Sequence, residues 1–329
     1  MNQHSPVVPE KLSHAKLVGG PLSLAPFSEE LFHSAVVEGG GEIMEVGPAT
    51  RGLVWLSPYG ANELGAILDA QPQIEWLQLP WAGVDAFASV LAHIATMPVD
   101  KRPVVTSAKG AYSEPVAEHA LALTLACMRE FPRKARDAHW QEQRSGLSLF
   151  GRHVVVIGAG GVGRTFVELL APFRATVTMV RRGNKSVPGA QATIGVDDLD
   201  SVLPHADVVV VAAAATESTR HLIGARQLAL MPEHSVLINI ARGSLVDADA
   251  LLDALQSGRL FGAGLDVMDP EPFPSEHGLW STNNALITSH SADTPEMTRP
   301  LLAQRVRGNV EAYLSGSDLL GVVDVEAGY

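Results

Sequence analysis

The sequence predicts an α/β protein built from two doubly wound parallel-sheet domains. Short apolar strands alternate with helical stretches over residues 17–107, and a second series of the same kind begins near residue 153. A long apolar helix, residues 114–128, separates the two series. The chain has 329 residues, more than a single hydrophobic core usually holds, which also favours two domains.

The composition is that of a well-buried globular enzyme. Hydrophobic residues make up 46% of the chain and charged residues 18%, so disorder is expected only near the ends. The net charge of −12 argues against nucleic acid, because phosphate binding relies on clustered Lys and Arg. The single Cys127 lies in an apolar helical run, where it is expected to be a buried structural thiol.

Neither a signal peptide nor a membrane span is expected. Residues 1–16 lack the apolar stretch of a signal peptide. No uninterrupted apolar run approaches the roughly 18 residues that a membrane span needs. We therefore expect a cytoplasmic protein without membrane or nucleic-acid partners.

The first β-α series predicts a complete small domain. Its strands are predicted at residues 17–20, 42–47, 52–57, 75–79 and 103–107, and its helices at residues 29–38, 62–70 and 84–92. Strands joined through helices form a parallel sheet with helices on both faces. The helix that follows carries Pro115 in its first turn, where proline is tolerated, and should end before Pro132.

The second series predicts the larger domain. Its strands are predicted at residues 153–157, 176–180, 207–213, 235–240, 262–267 and 285–289. A last helix, residues 296–315, could return to the first domain. The expected domains are therefore residues 1–110 together with 294–329, and residues 111–293.

A glycine motif follows the first strand of the second series and precedes a helical pattern at residues 165–170. Its residues are Gly158, Ala159, Gly160, Gly161, Val162 and Gly163. In this context Gly158 permits a tight turn, Gly160 lets a pyrophosphate approach the backbone, and Gly163 lets helix and strand pack closely. The helix N-terminus would face the phosphates. We predict a dinucleotide site in residues 111–293, and the alternative is a glycine-rich loop without a ligand.

Basic residues follow the next strand, where an NAD enzyme usually carries an acid for the ribose 2′-hydroxyl. Arg181 and Arg182 stand at this position and Lys185 lies close behind them. A basic cluster suits the 2′-phosphate of NADP(H), because charge-assisted hydrogen bonds bind it. NADP is therefore the expected cofactor. NAD is possible, and a solvated basic turn is the alternative.

Six motifs spread over nearly the whole chain point to one family. They are Leu-Pro-Trp-Ala-Gly-Val-Asp at 79–85, Pro-Val-Ala-Glu-His at 115–119, the glycine motif, Ile-Asn-Ile-Ala-Arg-Gly at 238–243, Gly-Leu-Asp-Val-Met-Asp-Pro-Glu-Pro at 264–272 and Ile-Thr-Ser-His at 287–290. With these motifs the chain resembles the D-isomer-specific 2-hydroxyacid dehydrogenase family.

The resemblance implies a fold and an activity. It implies a Rossmann coenzyme domain, a flavodoxin-like substrate domain completed by the C-terminal helix, and an active site in the cleft between them. The implied activity is that of an oxidoreductase, transferring hydride between NADP(H) or NAD(H) and a small 2-keto acid or D-2-hydroxy acid, of the glyoxylate or hydroxypyruvate type. It also implies a homodimer built mainly through the coenzyme domains.

The resemblance carries over three catalytic residues. Arg242 takes the place of the arginine that grips the substrate carboxylate and keto oxygen with its planar fork. His290 takes the place of the general acid that protonates the carbonyl oxygen. Glu271 matches the carboxylate that orients this imidazole and favours its charged form. A surface ion-pair arginine and a structural histidine are the alternatives.

The resemblance also implies binding residues. Asp266 and Ala241 are placed beside the cofactor. The turn formed by Ala82, Gly83 and Val84 should present backbone N–H groups to the substrate carboxylate, since such a turn can form an anion nest. Its alternative is an ordinary strand-to-helix turn. No metal site is expected.

The chain departs from the family pattern at two places. Ser289 stands where many members have proline, and residues 212–215 replace a turn that commonly contains Leu-Pro.

Two other functions are alternatives to the keto-acid reductase. A formate or phosphite dehydrogenase of the same fold is one alternative, although formate dehydrogenases resembling this family lack a counterpart of Glu271. A cofactor-sensing binding protein like the corepressors is the other, although the chain carries almost no added sequence.

Overall fold

The structure, a computed structural model, describes residues 17–183 and 185–328. The chain divides into two compact units, one of Met1–Ala111 with Thr298–Tyr329 and the other of Tyr112–Met297. The segment in which no signal peptide is expected, residues 1–16, lies outside the described residues, as does Asn184 in the basic turn. Among the described helices, none combines the length and apolar character that crossing a bilayer requires.

The first unit contains a four-stranded parallel sheet in the order β1-β2-β3-β4. In chain order its elements up to residue 106 are β1 (Leu22–Ala25), α1 (Glu30–Glu38), β2 (Gly52–Trp55), α2 (Ala61–Ala70), β3 (Trp76–Gln78), α3 (Ala88–Thr96) and β4 (Val104–Thr106). Both faces of β2 and β3 are buried, as expected for a parallel sheet covered by helices.

Two of the predicted strands in this unit are wrong. Residues 17–20 form no strand, because Gly19 and Gly20 have φ angles of 74° and 156°, and β1 begins only after Pro21. Residues 42–47 contribute only an isolated parallel bridge between Ile43 and Leu22. This bridge lies on the free edge of β1, since the Leu22 amide donates to Glu42 at 2.8 Å. A second strand reduced to one bridge therefore gives the flavodoxin-like order 2-1-3-4-5.

The second unit contains a seven-stranded parallel sheet in the order β11-β10-β9-β8-β5-β6-β7. Its elements are α4 (Ser113–Met128), α5 (Phe131–Lys134), β5 (His153–Ile157), α6 (Gly161–Leu169), β6 (Thr176–Arg181), β7 (Ala192–Gly195), α7 (Leu199–Val202), β8 (Val208–Val211), α8 (Ala225–Leu230), β9 (Val236–Asn239), α9 (Ala248–Gln256), β10 (Gly262–Leu265) and β11 (Ala285–Ile287). Every strand pair is parallel. The two sheets confirm the predicted fold class.

The order of strands in the second unit reverses beside β5. The chain runs outward through β6 and β7 on one side of β5 and through β8 to β11 on the other. Ligands of doubly wound sheets bind outside the carboxyl ends of the strands at this kind of switch point. The glycine motif begins directly after β5, so its position agrees with that rule.

The sheet of the second unit is buried on both faces. β8 is a run of four valines without exposed surface, and separate clusters of apolar side chains cover the two faces. Helix α4 packs closely on β10, since a Cβ added to Gly264 would lie 2.9 Å from the Leu123 side chain. Cys127 of the same helix is buried, and burial raises the pKa of its thiol to about 12. The thiol is therefore a structural group.

The last helix, α10 (Pro295–Ser315), contributes most of its length to the first unit. Tyr313 donates a hydrogen bond to Glu75 at 2.7 Å and stacks at 5.1 Å on Trp76. Asn309, without exposed surface, donates to Gln78 of β3 at 2.8 Å. These buried polar contacts fix the helix against the ends of the sheet, because leaving such groups unpaired would cost about 1–3 kcal/mol each.

Candidate active site

The glycine loop after β5 is shaped by backbone packing. Gly158 has a φ of 113°, and a Cβ there would lie 2.4 Å from the carbonyl oxygen of Ala212. A Cβ on Gly163 would lie 2.0 Å from the carbonyl oxygen of Gly158. Glycine is therefore required at both positions for the loop to pack against the chain after β8 and against α6.

Gly160 differs from its neighbours because the space beside it is open. It caps α6 with a φ of −73°, and a Cβ added there would meet no protein atom within 4 Å. The helix itself begins at Gly161, four residues before the predicted start. Ala159 and Val162 are half-buried and pack against the core below the loop. The first N–H groups of α6 are thus next to a backbone position that leaves room for a ligand.

The basic residues lie at the carboxyl end of β6, beside the glycine loop. The Gly158 amide donates to the carbonyl oxygen of Val180 at 2.8 Å, and Arg181 is the next residue and the last of the strand. The half-buried Arg181 donates to the carbonyl oxygen of Lys185 at 3.4 Å. Arg182 and Lys185 are exposed. The structure therefore brings Arg181 close to the loop and leaves the side chains of the turn open to solvent.

The loop after β9 carries Ala241 and Arg242, and a buried amide holds it. Asn239, with 1% of its surface exposed, donates to the carbonyl oxygen of Arg242 at 2.9 Å and accepts from the Ala241 amide at 3.1 Å. The guanidinium of Arg242 donates to the carbonyl oxygen of Ala241 at 2.8 Å. The sequence motif contains Asn239, but sequence analysis gave it no role.

Gly243 brings the loop after β9 into backbone contact with the loop after β10. A Cβ on Gly243 would lie 1.9 Å from the carbonyl carbon of Met268 and 2.3 Å from the Asp269 nitrogen. No side chain fits in that space. The position next to Arg242 is therefore fixed against the loop that leads to Glu271.

Glu271 and His290 form a hydrogen-bonded pair. Glu271 Oε2 lies 2.8 Å from His290 Nδ1, while Glu271 Oε1 accepts from the Met268 amide at 3.0 Å. Both side chains are partly open, with 40% and 44% of their surfaces exposed. His290 has a φ of 48°, an unusual backbone conformation for a residue other than glycine. The structure thus pairs these two residues as the sequence predicts.

Asp266 is buried at the end of β10 and faces the loop that carries His290. Its carboxylate accepts from the Thr288 hydroxyl at 2.6 Å and from the Ser291 and Ala292 amides at 2.9 and 3.1 Å. Burial alone raises the pKa of Asp266, but these hydrogen bonds and one from His119 hold it below its usual range. Its observed partners belong to the histidine loop and to α4. Its predicted contact with cofactor stays a prediction.

Asp293 is a third acid beside the pair, and sequence analysis missed it. Burial raises its pKa above the usual range, and the neighbouring charge of Asp266 adds to this, while His290 and Arg242 oppose it. Asp293 therefore interacts electrostatically with His290, Asp266 and Arg242. Asp293 stands outside the quoted motifs, so no spacing in the sequence marked it.

The turn Ala82-Gly83-Val84 lies in the first unit, at the carboxyl end of β3. Val84 is buried and precedes a short 3-10 helix, Asp85–Phe87, while Ala82 is exposed and Gly83 half-buried. The carbonyl oxygen of Trp81 accepts from the Ala108 amide at 3.0 Å. Among the described residues, no group of His, Cys, Asp and Glu is arranged to hold a metal ion.

Comparisons with known proteins agree on one family. Residues 120–292, more than half of the chain, match the family model described as D-isomer specific 2-hydroxyacid dehydrogenase, NAD binding domain. An uncharacterized protein of Corynebacterium melassecola is 34% identical over 79% of this chain and 86% of its own length. Glyoxylate/hydroxypyruvate reductase A of Arabidopsis thaliana is 34% identical over 66% of this chain and 69% of its own.

A solved structure agrees as well. The crystal structure of a D-isomer specific 2-hydroxyacid dehydrogenase from Xanthobacter autotrophicus Py2, in complex with NADPH and MES, superposes with a TM-score of 0.77. It is 25% identical and covers 94% of this chain and 99% of its own. The chain therefore belongs to the D-isomer specific 2-hydroxyacid dehydrogenase family and is an NAD(P)-dependent dehydrogenase.

Proposed function

We propose that the protein uses NADPH to reduce a small 2-keto acid of the glyoxylate or hydroxypyruvate type to the D-2-hydroxy acid. The observation that carries the proposal is the partly exposed, hydrogen-bonded pair of His290 and Glu271, together with Asp293, which interacts electrostatically with both His290 and Arg242. The similarity to a plant glyoxylate/hydroxypyruvate reductase supports the substrate class.

Each of the three residues has a distinct part in the reduction. Arg242 binds the substrate carboxylate and keto oxygen through parallel hydrogen bonds from its guanidinium. His290, held through Nδ1 by Glu271, uses Nε2 to donate a proton to the keto oxygen. The proton goes to oxygen and a hydride to C2, so the keto acid becomes a hydroxy acid. In the reverse direction His290 takes the proton back.

The second unit offers a binding site that fits a dinucleotide. Open space beside Gly160 at the start of α6 suits a pyrophosphate, because helix N–H groups and the helix dipole favour anions. Arg181, at the end of the neighbouring strand, suits the 2′-phosphate of NADP(H). When bound, the nicotinamide supplies the hydride. We propose that Ala241 and Asp266 lie beside it.

Two further assignments rest on the family resemblance. The turn Ala82-Gly83-Val84 is proposed to bind the substrate carboxylate through its N–H groups. A cytoplasmic homodimer is proposed, with the second copy bound at the coenzyme domain. Exposed aromatic side chains between residues 131 and 150 of the second unit support this, since Phe131, Trp140 and Phe150 are 57%, 93% and 54% exposed.

The first prediction concerns substrate and cofactor. We expect kcat/KM with glyoxylate or hydroxypyruvate to be about 10- to 150-fold higher with NADPH than with NADH, because one charge-assisted hydrogen bond is worth about 1.5–3 kcal/mol. The measurement is initial rates of cofactor oxidation over a panel of 2-keto acids at one ionic strength. Arg181→Asp should abolish the preference by repelling the 2′-phosphate.

Lys101→Asp is the matched control for this substitution. It makes the same change in charge at an exposed residue of the first unit and should keep the preference for NADPH. An equal kcat/KM of the wild type with NADPH and NADH would show that the basic turn faces solvent and does not bind the 2′-phosphate. Absence of turnover with every keto acid of the panel would refute the proposed activity.

The second prediction concerns Gly160. Gly160→Ala should fold normally, because its Cβ meets no protein atom and its φ suits alanine, yet it should weaken NADPH binding at least about tenfold by crowding the pyrophosphate. Fluorescence titration gives the Kd and thermal unfolding reports the fold. Gly65→Ala, at another position with open space, is the control and should bind NADPH like wild type. Unchanged affinity in Gly160→Ala would remove this glycine from the cofactor site.

The third prediction concerns the proton donor. His290→Gln should lower kcat for keto-acid reduction by about 10²–10⁴, since this is the usual contribution of general acid catalysis. The Kd for NADPH should change less than about twofold, because the glycine loop belongs to other elements. Steady-state kinetics and fluorescence titration measure the two effects. The exposed His33→Gln serves as control, and near-normal turnover in His290→Gln would exclude it as the acid.

A further inference from the structure

A row of hydrogen-bonded side chains connects helix α4 to the loop that carries His290. His119 of α4 places its Nε2 2.9 Å from the Thr288 hydroxyl, which lies 2.6 Å from Asp266 Oδ1. His119 Nε2 also lies 3.4 Å from the same carboxylate oxygen. None of these three side chains has a part in the proposed proton transfer or in gripping the keto acid.

The hydrogens in this row of hydrogen bonds can be assigned from its geometry. The Asp266 carboxylate is met by the Thr288 hydroxyl and by two main-chain amides, which can only donate, so both of its oxygens act as acceptors. The Thr288 hydroxyl has one hydrogen, which the 2.6 Å contact directs to Asp266. His119 Nε2 must then carry a hydrogen, which points to the Thr288 oxygen at 2.9 Å and to Asp266 Oδ1 at 3.4 Å. Both donors therefore direct their hydrogens towards the Asp266 end of this row of contacts.

Asp266 holds the backbone on both sides of the His290 α-carbon. Its main-chain oxygen accepts from the His290 amide at 2.7 Å, and its carboxylate accepts from the Ser291 and Ala292 amides at 2.9 and 3.1 Å. Between these hydrogen bonds, His290 has the left-handed φ of 48°. Backbone conformations of this kind are unfavourable for a residue other than glycine and persist only where the surroundings enforce them.

We propose that His119 and Thr288 are positioning residues, which act through Asp266 to hold His290 in the orientation that meets Glu271 and the substrate oxygen. Removing either donor frees the Asp266 carboxylate to turn, so the amides after His290 lose their fixed acceptor. The imidazole is then displaced from its reactive geometry. The catalytic part of this inference rests on the proposed keto-acid reduction.

The experiment compares two matched pairs of variants in the full-length protein. Thr288→Val and His119→Phe keep size but remove the hydrogen-bonding group, whereas Thr288→Ser and His119→Gln keep a donor at a similar place. For each we measure kcat and KM with NADPH and a keto acid, the Kd for NADPH and the melting temperature. A crystal structure of each variant gives the distance from His290 Nδ1 to Glu271 Oε2.

The expected result is a loss in kcat that only the conservative variants escape. Thr288→Val and His119→Phe should lose about 10- to 100-fold in kcat, because displacement of a catalytic group by about 1 Å has effects of this size. Their KM for the keto acid should change less than about threefold, since Arg242 is untouched. Thr288→Ser and His119→Gln should stay within about threefold of wild type. In the crystals, the contact of 2.8 Å should be lost only in the first two.

Two results would overturn the inference. One is a kcat within twofold of wild type in both Thr288→Val and His119→Phe, with the His290–Glu271 contact intact. The other is an equal loss in all four variants, which would indicate general damage to the fold. If Thr288→Val does not fold, the comparison of His119→Phe with His119→Gln tests the inference. The His119 side chain is 22% exposed and lies at the outer end of the row of hydrogen bonds, so these substitutions disturb the core less. An inactive wild type would refute the proposed reduction alone, since the crystal distances still test the positioning.

Discussion

The backbone contact at Gly243 is the constraint on which the candidate site depends. A Cβ there would lie 1.9 Å from the carbonyl carbon of Met268, so the loops after β9 and β10 touch without side chains between them. One loop carries Arg242 and the other carries Glu271. The Met268 amide also donates to Glu271, so the residue whose carbonyl group meets Gly243 also orients the carboxylate. The positions of Arg242 and of Glu271, the hydrogen-bond partner of His290, are therefore set by one packing contact.

Electrostatics around this contact serve orientation more than stability. The His290–Glu271 pair is about two-fifths exposed, and even a fully charged pair with such exposure contributes only about 0–1 kcal/mol to folding. Asp266 is different, because it is buried and its pKa is lowered by hydrogen bonds in the folded state. Its contribution to stability is present above the pKa of the unfolded chain and is lost as the pH falls through the lower folded value. The buried acid stabilises the loop that presents the exposed histidine.

Much of this arrangement follows from sequence because local patterns enforce it. The run of valines in β8 predicts a buried strand and the glycine motif after β5 predicts a tight turn between strand and helix, and the strand 153–157 has the predicted bounds. The edges of the sheets were harder to predict. The apolar residues near Ile43 form only one bridge, and β7 is a short, incompletely buried edge strand that no alternation marks. Edge strands make few contacts, so their sequences are weakly constrained.

The candidate site likewise contains residues that the sequence marks and residues whose part only the structure reveals. Arg242, Glu271 and His290 stand in motifs, and so do His119, Thr288 and Asn239. Asn239 forms its hydrogen bonds within its own loop, whereas the hydrogen bond between His119 and Thr288 joins segments far apart in the sequence. Spacing along the chain cannot reveal such contacts. Asp293 gave no signal, because an acid three residues after His290 has meaning only once Asp266 and Arg242 are seen beside it.

We propose that Arg242 and the His290–Glu271 pair act on one substrate molecule as a unit. The most direct measurement is a double-variant cycle on kcat/KM for keto-acid reduction, with Arg242→Lys, His290→Gln and the two combined. If they act together, the loss in the double variant should be smaller than the product of the single losses, since groups of one catalytic unit are strongly non-additive. Losses that simply multiply would contradict the account, because they would place the two residues in independent events.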